Sequence, residues 1–177
     1  VLEETPAPNL PAGMAEELCA AAIKLAKAVN YRSAGTVEFV YDSEAERFYF
    51  LEVNTRLQVE HGVTEQVWGV DLVRWMIELA AGDLAPLSEL AQNLKPSGHA
   101  IQARLYAEDP GRDFQPCPSL LTAASFPEAD GKVLRIDTWV EAGCEIPPYF
   151  DPMIAKLITW APSRAEASAA LSQALAD

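Results

Sequence analysis

The chain has 177 residues, half of them hydrophobic and 22% charged, a balance that excludes wholesale disorder. With 13 Lys and Arg against 26 Asp and Glu the net charge is −13, which excludes the basic face that a nucleic-acid footprint needs. No apolar run approaches the roughly 18 residues of a membrane span, so the open question is how so acidic a chain would hold an anion.

Residues 1–12 read as extended, because Pro6, Pro8 and Pro11 forbid a helix. Met14, Leu18, Ala21, Leu25 and Ala28 recur at steps of three and four, predicting a helix over 13–30 that stops at Asn30. The period then changes to two. Thr36–Tyr41 and Phe48–Val53, separated by the polar stretch 42–47, predict a β-hairpin. Asp71 is positioned to cap a helix that carries Leu72, Trp75, Met76 and Leu79 and ends at Gly82. After a loop with Pro86 and Pro96, strands are predicted over 100–106, 120–126, 133–139 and 155–160. Ser163 and Glu166 have capping-box spacing, so a closing helix starts there. The division is 1–83, a linker over 84–97, and 98–177.

Cys19, Cys117 and Cys144 are odd in number and widely spaced, which argues against a disulfide framework and for a reduced, cytoplasmic compartment. His61 and His99 make no familiar zinc spacing with them. No signal-peptide pattern is present, and both ends read as cut from something longer.

The informative stretch is 51–61. In an extended chain, side chains two apart share a face, so Glu52, Asn54, Arg56, Gln58 and Glu60 would line one side. A hairpin turn centred near Ala45 sets Glu38 opposite Glu52 and Thr36 opposite Asn54. Opposed carboxylates repel unless a cation lies between them, and oxygen ligands of this kind suit Mg²⁺ or Mn²⁺ beside substrate phosphates. Arg56 could grip an oxyanion through two hydrogen bonds, and Glu60 is a candidate general base. A half-solvated strand gives the same alternation. Glu38 favours the metal–anion reading, because it sits in the otherwise apolar run 37–40, where an unpaired carboxylate is costly.

Gly35-Thr-Val-Glu-Phe39, Phe50-Leu-Glu-Val-Asn-Thr-Arg-Leu-Gln-Val-Glu-His61 and Val63-Thr-Glu65 resemble the ATP-grasp core of biotin carboxylases. The runs 98–110 and 148–158 resemble the C-terminal domain of the same enzymes, so the likeness covers nearly the whole chain. Within the family, the stretches 30–42, 114–116 and 137–140 look most like the urea carboxylase branch. The resemblance implies an α+β fold: the C-terminal part of an ATP-grasp domain, followed by the β-rich biotin carboxylase C-terminal domain. It implies ATP-dependent carboxylation of carrier-bound biotin, for urea or, in sister enzymes, for an acyl-CoA or pyruvate. A catalytically silent structural or subunit-contact module is the reading from another class.

By the same resemblance Glu38, Glu52 and Asn54 match the divalent-metal ligands. Arg56, Gln58 and the Val59 backbone match the bicarbonate site, and Glu60 matches the base that deprotonates bicarbonate so that it can attack the γ-phosphate. Arg104 matches the arginine that stabilises the biotin enolate, and Asp151 matches a carboxylate near biotin that could orient it. Implied cofactors are ATP, Mg²⁺ or Mn²⁺, and biotin on a carrier domain outside this chain; the likeness allows a homodimer, with Arg135 at a subunit-contact position. His61 is expected to position its neighbours, His99 to be structural, and Lys156 to be a surface lysine, exposed or partly buried. Gly62 stands where the family usually has Pro, which predicts a looser backbone beside Glu60. The sequence has no Gly-rich phosphate loop, no ATP-gripping lysine pair and no Met-Lys-Met biotinylation motif, so these residues alone are expected to be silent without the N-terminal and ATP-lid regions.

Overall fold

The structure, a computed structural model, describes residues 1–176. It divides into two units: one formed by Val1–Pro6, Gly62–Gly69 and the chain from Lys95 onward, the other by Ala7–His61 and Val70–Leu94. One change of unit falls between Leu94 and Lys95. Two short segments N-terminal to it, 1–6 and 62–69, nonetheless pack with the C-terminal part. Among the described residues no helix is long and apolar enough to cross a membrane, and Cys19, Cys117 and Cys144 are free.

In the second unit, helix α1 (Met14–Ala28) precedes the hairpin of strands β2 (Thr36–Asp42) and β3 (Arg47–Asn54). Asp42 Oδ1 accepts from the backbone N–H of Glu44 and of Ala45 and so closes the turn. Helix α3 (Leu72–Ala81) is capped as its sequence predicts: Asp71 accepts from Arg74 N, and Gly82 takes the left-handed conformation at φ 87°. The linker holds a short helix, α4 (Leu87–Gln92), in place of a plain loop.

The first unit is built on an antiparallel sheet. Its strands are β1 (Leu2–Thr5), β4 (His99–Tyr106), β8 (Leu134–Thr138) and β10 (Met153–Ala161), in the order β1-β4-β10-β8. Two-residue pairs β5 (Glu108–Asp109) with β6 (Gln115–Pro116), and β7 (Ser119–Leu120) with β9 (Glu145–Ile146), tie the loops. The strand expected over 120–126 reduces to β7, because its apolar residues are followed by an irregular segment.

The period-two pattern of β4 decides what covers each face. Ile101 and Ala103, with Ala155 and Leu157 of β10, pack against Ala167, Leu171 and Ala174 of α5 (Arg164–Ala176). The capping box at its start is formed: Ser163 Oγ donates to Glu166, and Glu166 N donates back to Ser163. On the opposite face Ala100 and Ile158 receive Val63 and Val67 of helix α2 (His61–Trp68), with Trp160 packed alongside.

Gly62 lies in α2 and is buried. A Cβ there would run into Cδ1 of Ile158, so this fully buried side chain would have to shift to make room. The residue thus permits a close approach of helix and sheet. Gly62→Ala should destabilise by about 1–3 kcal/mol through overpacking. Ile158→Val, which deletes the obstructing methyl, should recover most of that in a double-mutant cycle read by denaturant unfolding; strictly additive effects would show that the contact is not the cause.

Candidate functional site

The hairpin sets the first cluster. Its register is Thr36 opposite Asn54, Val37 opposite Val53 and Glu38 opposite Glu52, then shifts so that Phe39 faces Phe50. Leu51 is the extra residue of a β-bulge, and the bulge reverses which side the even-numbered residues of β3 take. Phe48 and Phe50 therefore join Phe39, with ring centroids 5.3 and 6.4 Å away, on the face opposite the carboxylates. Glu52 and Asn54 keep to the face of Glu38.

There the amide of Asn54 bridges the pair: its Nδ2 donates to Glu38 Oε1 at 2.8 Å and to Glu52 Oε1 at 2.9 Å. Gln58 Nε2 adds a third hydrogen bond, to Glu38 Oε1 at 3.1 Å. Amide hydrogens thus occupy the place where cationic charge would relieve the repulsion of the two carboxylates. Among the described residues no group of three or more His, Cys, Asp or Glu is arranged to hold a metal. Two carboxylates and an amide oxygen fit a hard divalent ion that takes its remaining ligands from phosphates and water.

Beyond Asn54 the chain leaves the sheet, so the expected alternation does not run on to Glu60. Arg56 stays in the network through Nη1, which donates to Gln58 Oε1 at 2.8 Å and to the Leu57 carbonyl at 3.3 Å. Val59 and Glu60 form a turn, partly buried, that leads into α2. The Gln58 carbonyl closes this turn: it accepts from His61 N at 3.3 Å and lies 2.6 Å from His61 Nδ1. A carbonyl can only accept, so the ring proton belongs on Nδ1. His61 therefore ties down the turn that holds Glu60.

In the other unit, Arg104 stands on the α2-covered face of the sheet. Its Nη2 pairs with Glu3 Oε1 at 2.7 Å, and Gln102 Nε2 donates to the other oxygen of Glu3 at 2.9 Å. Burial works against the Arg104 charge, but hydrogen bonds with Tyr106 and Glu3 outweigh it and raise its pKa. Asp151 is exposed and accepts from Met153 N at 2.8 Å, which makes it the cap of the turn into β10.

On the same face lies a row of charges that the sequence reading missed. Arg135 donates through Nε and Nη2 to both oxygens of Asp137, at 2.7 and 2.9 Å, and through Nη1 to Glu65 Oε2 at 2.6 Å. Lys156 Nζ pairs with Asp137 at 3.1 Å. Lys156 is buried, contrary to the expectation of a surface lysine, and Arg135 is engaged within the chain. The signal was available: a charged residue in an apolar strand singled out Glu38, and the same argument applies to Lys156 within 154–158.

Residues 1–89 match the family model described as carbamoyl-phosphate synthase L chain, ATP binding domain, and residues 102–177 that of the biotin carboxylase C-terminal domain. The chain is 49% identical over 175 residues to urea amidolyase of Saccharomyces cerevisiae, covering 99% of this chain and 9% of that protein. It is 47% identical to the mitochondrial methylcrotonoyl-CoA carboxylase subunit alpha of Rattus norvegicus, covering 99% of this chain and 24% of that one. Among solved structures, the biotin carboxylase domain dimer of Hydrogenobacter thermophilus 2-oxoglutarate carboxylase, in complex with MgADP, ADP and bicarbonate, superposes with a TM-score of 0.91 at 38% identity, covering 99% of this chain and 38% of that one. The chain thus spans a small part of the proteins it matches.

Proposed function

Because the chain belongs to the biotin carboxylase family, we propose that it is the part of such an enzyme that holds the phosphate-side metal and bicarbonate and supplies a cation to the biotin step. The observation that carries this reading is the Glu38–Asn54–Glu52 bridge, joined through Gln58 to Arg56. Glu38, Glu52 and Asn54 would hold the Mg²⁺ or Mn²⁺ that accompanies ATP, an ion that when bound supplies positive charge to the phosphate oxygens. Arg56 binds bicarbonate with its fork of donors, and Gln58 and the Val59 backbone hold the remaining oxygens. Glu60 takes the bicarbonate proton, which frees the oxygen to attack the γ-phosphate and form carboxyphosphate and ADP. Carrier-bound biotin, when docked, supplies the nitrogen that accepts the carboxyl group. Arg104 offers its guanidinium to the negative charge that builds up there, and Asp151 shapes the turn entering β10. Urea is the favoured final acceptor on the similarity to urea amidolyase, and a cytoplasmic location fits the three free thiols. An acyl-CoA or pyruvate acceptor would use the same half-reaction.

The test is ATP hydrolysis by the complete carboxylase that carries this chain. It should depend on bicarbonate, whereas the 177 residues alone should show none. Arg56→Gln should raise the KM for bicarbonate about tenfold to a hundredfold, the worth of a charge-assisted pair of hydrogen bonds. An unchanged KM would remove Arg56 from the anion site.

A further inference from the structure

The reaction just described leaves the buried cation Lys156 without a task. Arg104 on β4 and Lys156 on β10 are direct cross-strand partners. Opposed side chains have Cβ atoms about 4.5–5.5 Å apart, and like charges there repel. Each cation is taken by a carboxylate on its far side. Glu3 holds Arg104 from β1, and Asp137 holds Lys156 from β8. Asp137 cannot drift, because Arg135 grips both its oxygens and is itself held by Glu65 of α2. At 9% exposure Lys156 contributes nothing to solubility, and an apolar side chain of the same length would avoid its desolvation cost.

We propose that Lys156 is a positioning residue for Arg104: pinned by Asp137, it fends the guanidinium off the β8 side and keeps it turned toward Glu3, the pose used in the biotin step. The inference rests on the role of Arg104 given above. Without the Lys156 ammonium, Asp137 keeps its two Arg135 bonds, but the acceptor position on Oδ2 that Lys156 filled is left open toward β10. Asp137 lies two strand spacings from Arg104 in the sheet order, about 9.5–10 Å, a gap that an extended arginine and an aspartate close between them. Arg104 would then cross β10 and leave the site.

The experiment uses the complete carboxylase and compares two rates: bicarbonate-dependent ATP hydrolysis without biotin, and carboxylation of biotin. Lys156→Met should leave the first within about twofold and lower kcat of the second about tenfold or more, the scale of a misplaced catalytic group. Lys156→Met with Asp137→Asn removes the acceptor to which Arg104 would cross, and should recover most of the second rate. Equal losses in both rates, or a double variant no better than the single one, would overturn the proposal. If Lys156→Met does not fold, Glu3→Gln carries the test from the other side, since it releases Arg104 from its proper anchor; it too should lower the second rate selectively, and equal losses would count against the proposal. Arg104→Gln separates the two layers: if it leaves biotin carboxylation intact, the role of Arg104 itself is wrong and the positioning role falls with it.

Discussion

Arg135→Leu should cost the fold about 3–5 kcal/mol, the range for removing one partner of a buried ion pair. The size follows from what stays behind. The Glu65 side chain is 6% exposed and loses a contact of 2.6 Å, while Asp137 keeps Lys156 but loses both bonds to the guanidinium. Adding Glu65→Leu should return a large part of the loss, because an apolar pair satisfies the space without stranding a carboxylate. The penalty should also depend on pH. Burial disfavours the charged form of Asp137, but hydrogen bonds from Arg135 and Lys156 outweigh this and hold its pKa below the ordinary carboxylate value. A depressed folded pKa stabilises above the unfolded value of about 3.9 and loses that contribution as the pH falls through the folded one. Arg135, whose pKa is raised, stays charged throughout. The difference in denaturant unfolding midpoints between wild type and Arg135→Leu should therefore be full at pH 7 and begin to shrink only as the pH falls below about 4. A difference that does not shrink at all with acidification would mean that packing, and not charge, sets the cost.

Glu60→Gln in the complete carboxylase should lower kcat for bicarbonate-dependent ATP hydrolysis by about 10²–10⁴, the usual worth of a general base. Glutamine keeps the size and hydrogen-bonding capacity of the side chain but cannot accept a proton. The turn itself is closed by the Gln58 carbonyl and His61, so its geometry should survive. The KM for ATP should change little, because the residues proposed to hold the metal lie on the hairpin, upstream of the turn. Undiminished kcat would place the base elsewhere.

What was legible in the sequence was local. Capping residues marked both ends of α3 and the start of α5, since those signals lie within a few residues of what they cap. The pairing of Glu38 with Glu52 followed from counting outward from the turn, because a hairpin register is set by its own loop. The same count fails beyond Glu38, as nothing in Phe50-Leu51-Glu52 announces a bulge. Helix α2 escaped because its residues continue a run that alternates convincingly as a strand up to Glu60. The partner of Arg104 was hidden for a different reason. Glu3 lies in a Pro-rich stretch with no periodicity of its own, and only the pairing of β1 with β4 makes it part of the site.

The use of β1 as an edge strand bears on how the molecule comes to be made. Gln102 meets Glu3 across 99 residues of chain, and Arg164 reaches back across 160 to bind Glu4. Segments this far apart pay their loop-closure entropy before any contact repays it. During synthesis the hairpin of β2 and β3, whose contacts are local, can close early, whereas β1, made before it, must wait for β4. Over that interval Leu2–Thr5 is an unpaired edge. Its two carboxylates, later neutralised by Arg104 and Arg164, are what discourage it from pairing with another nascent chain.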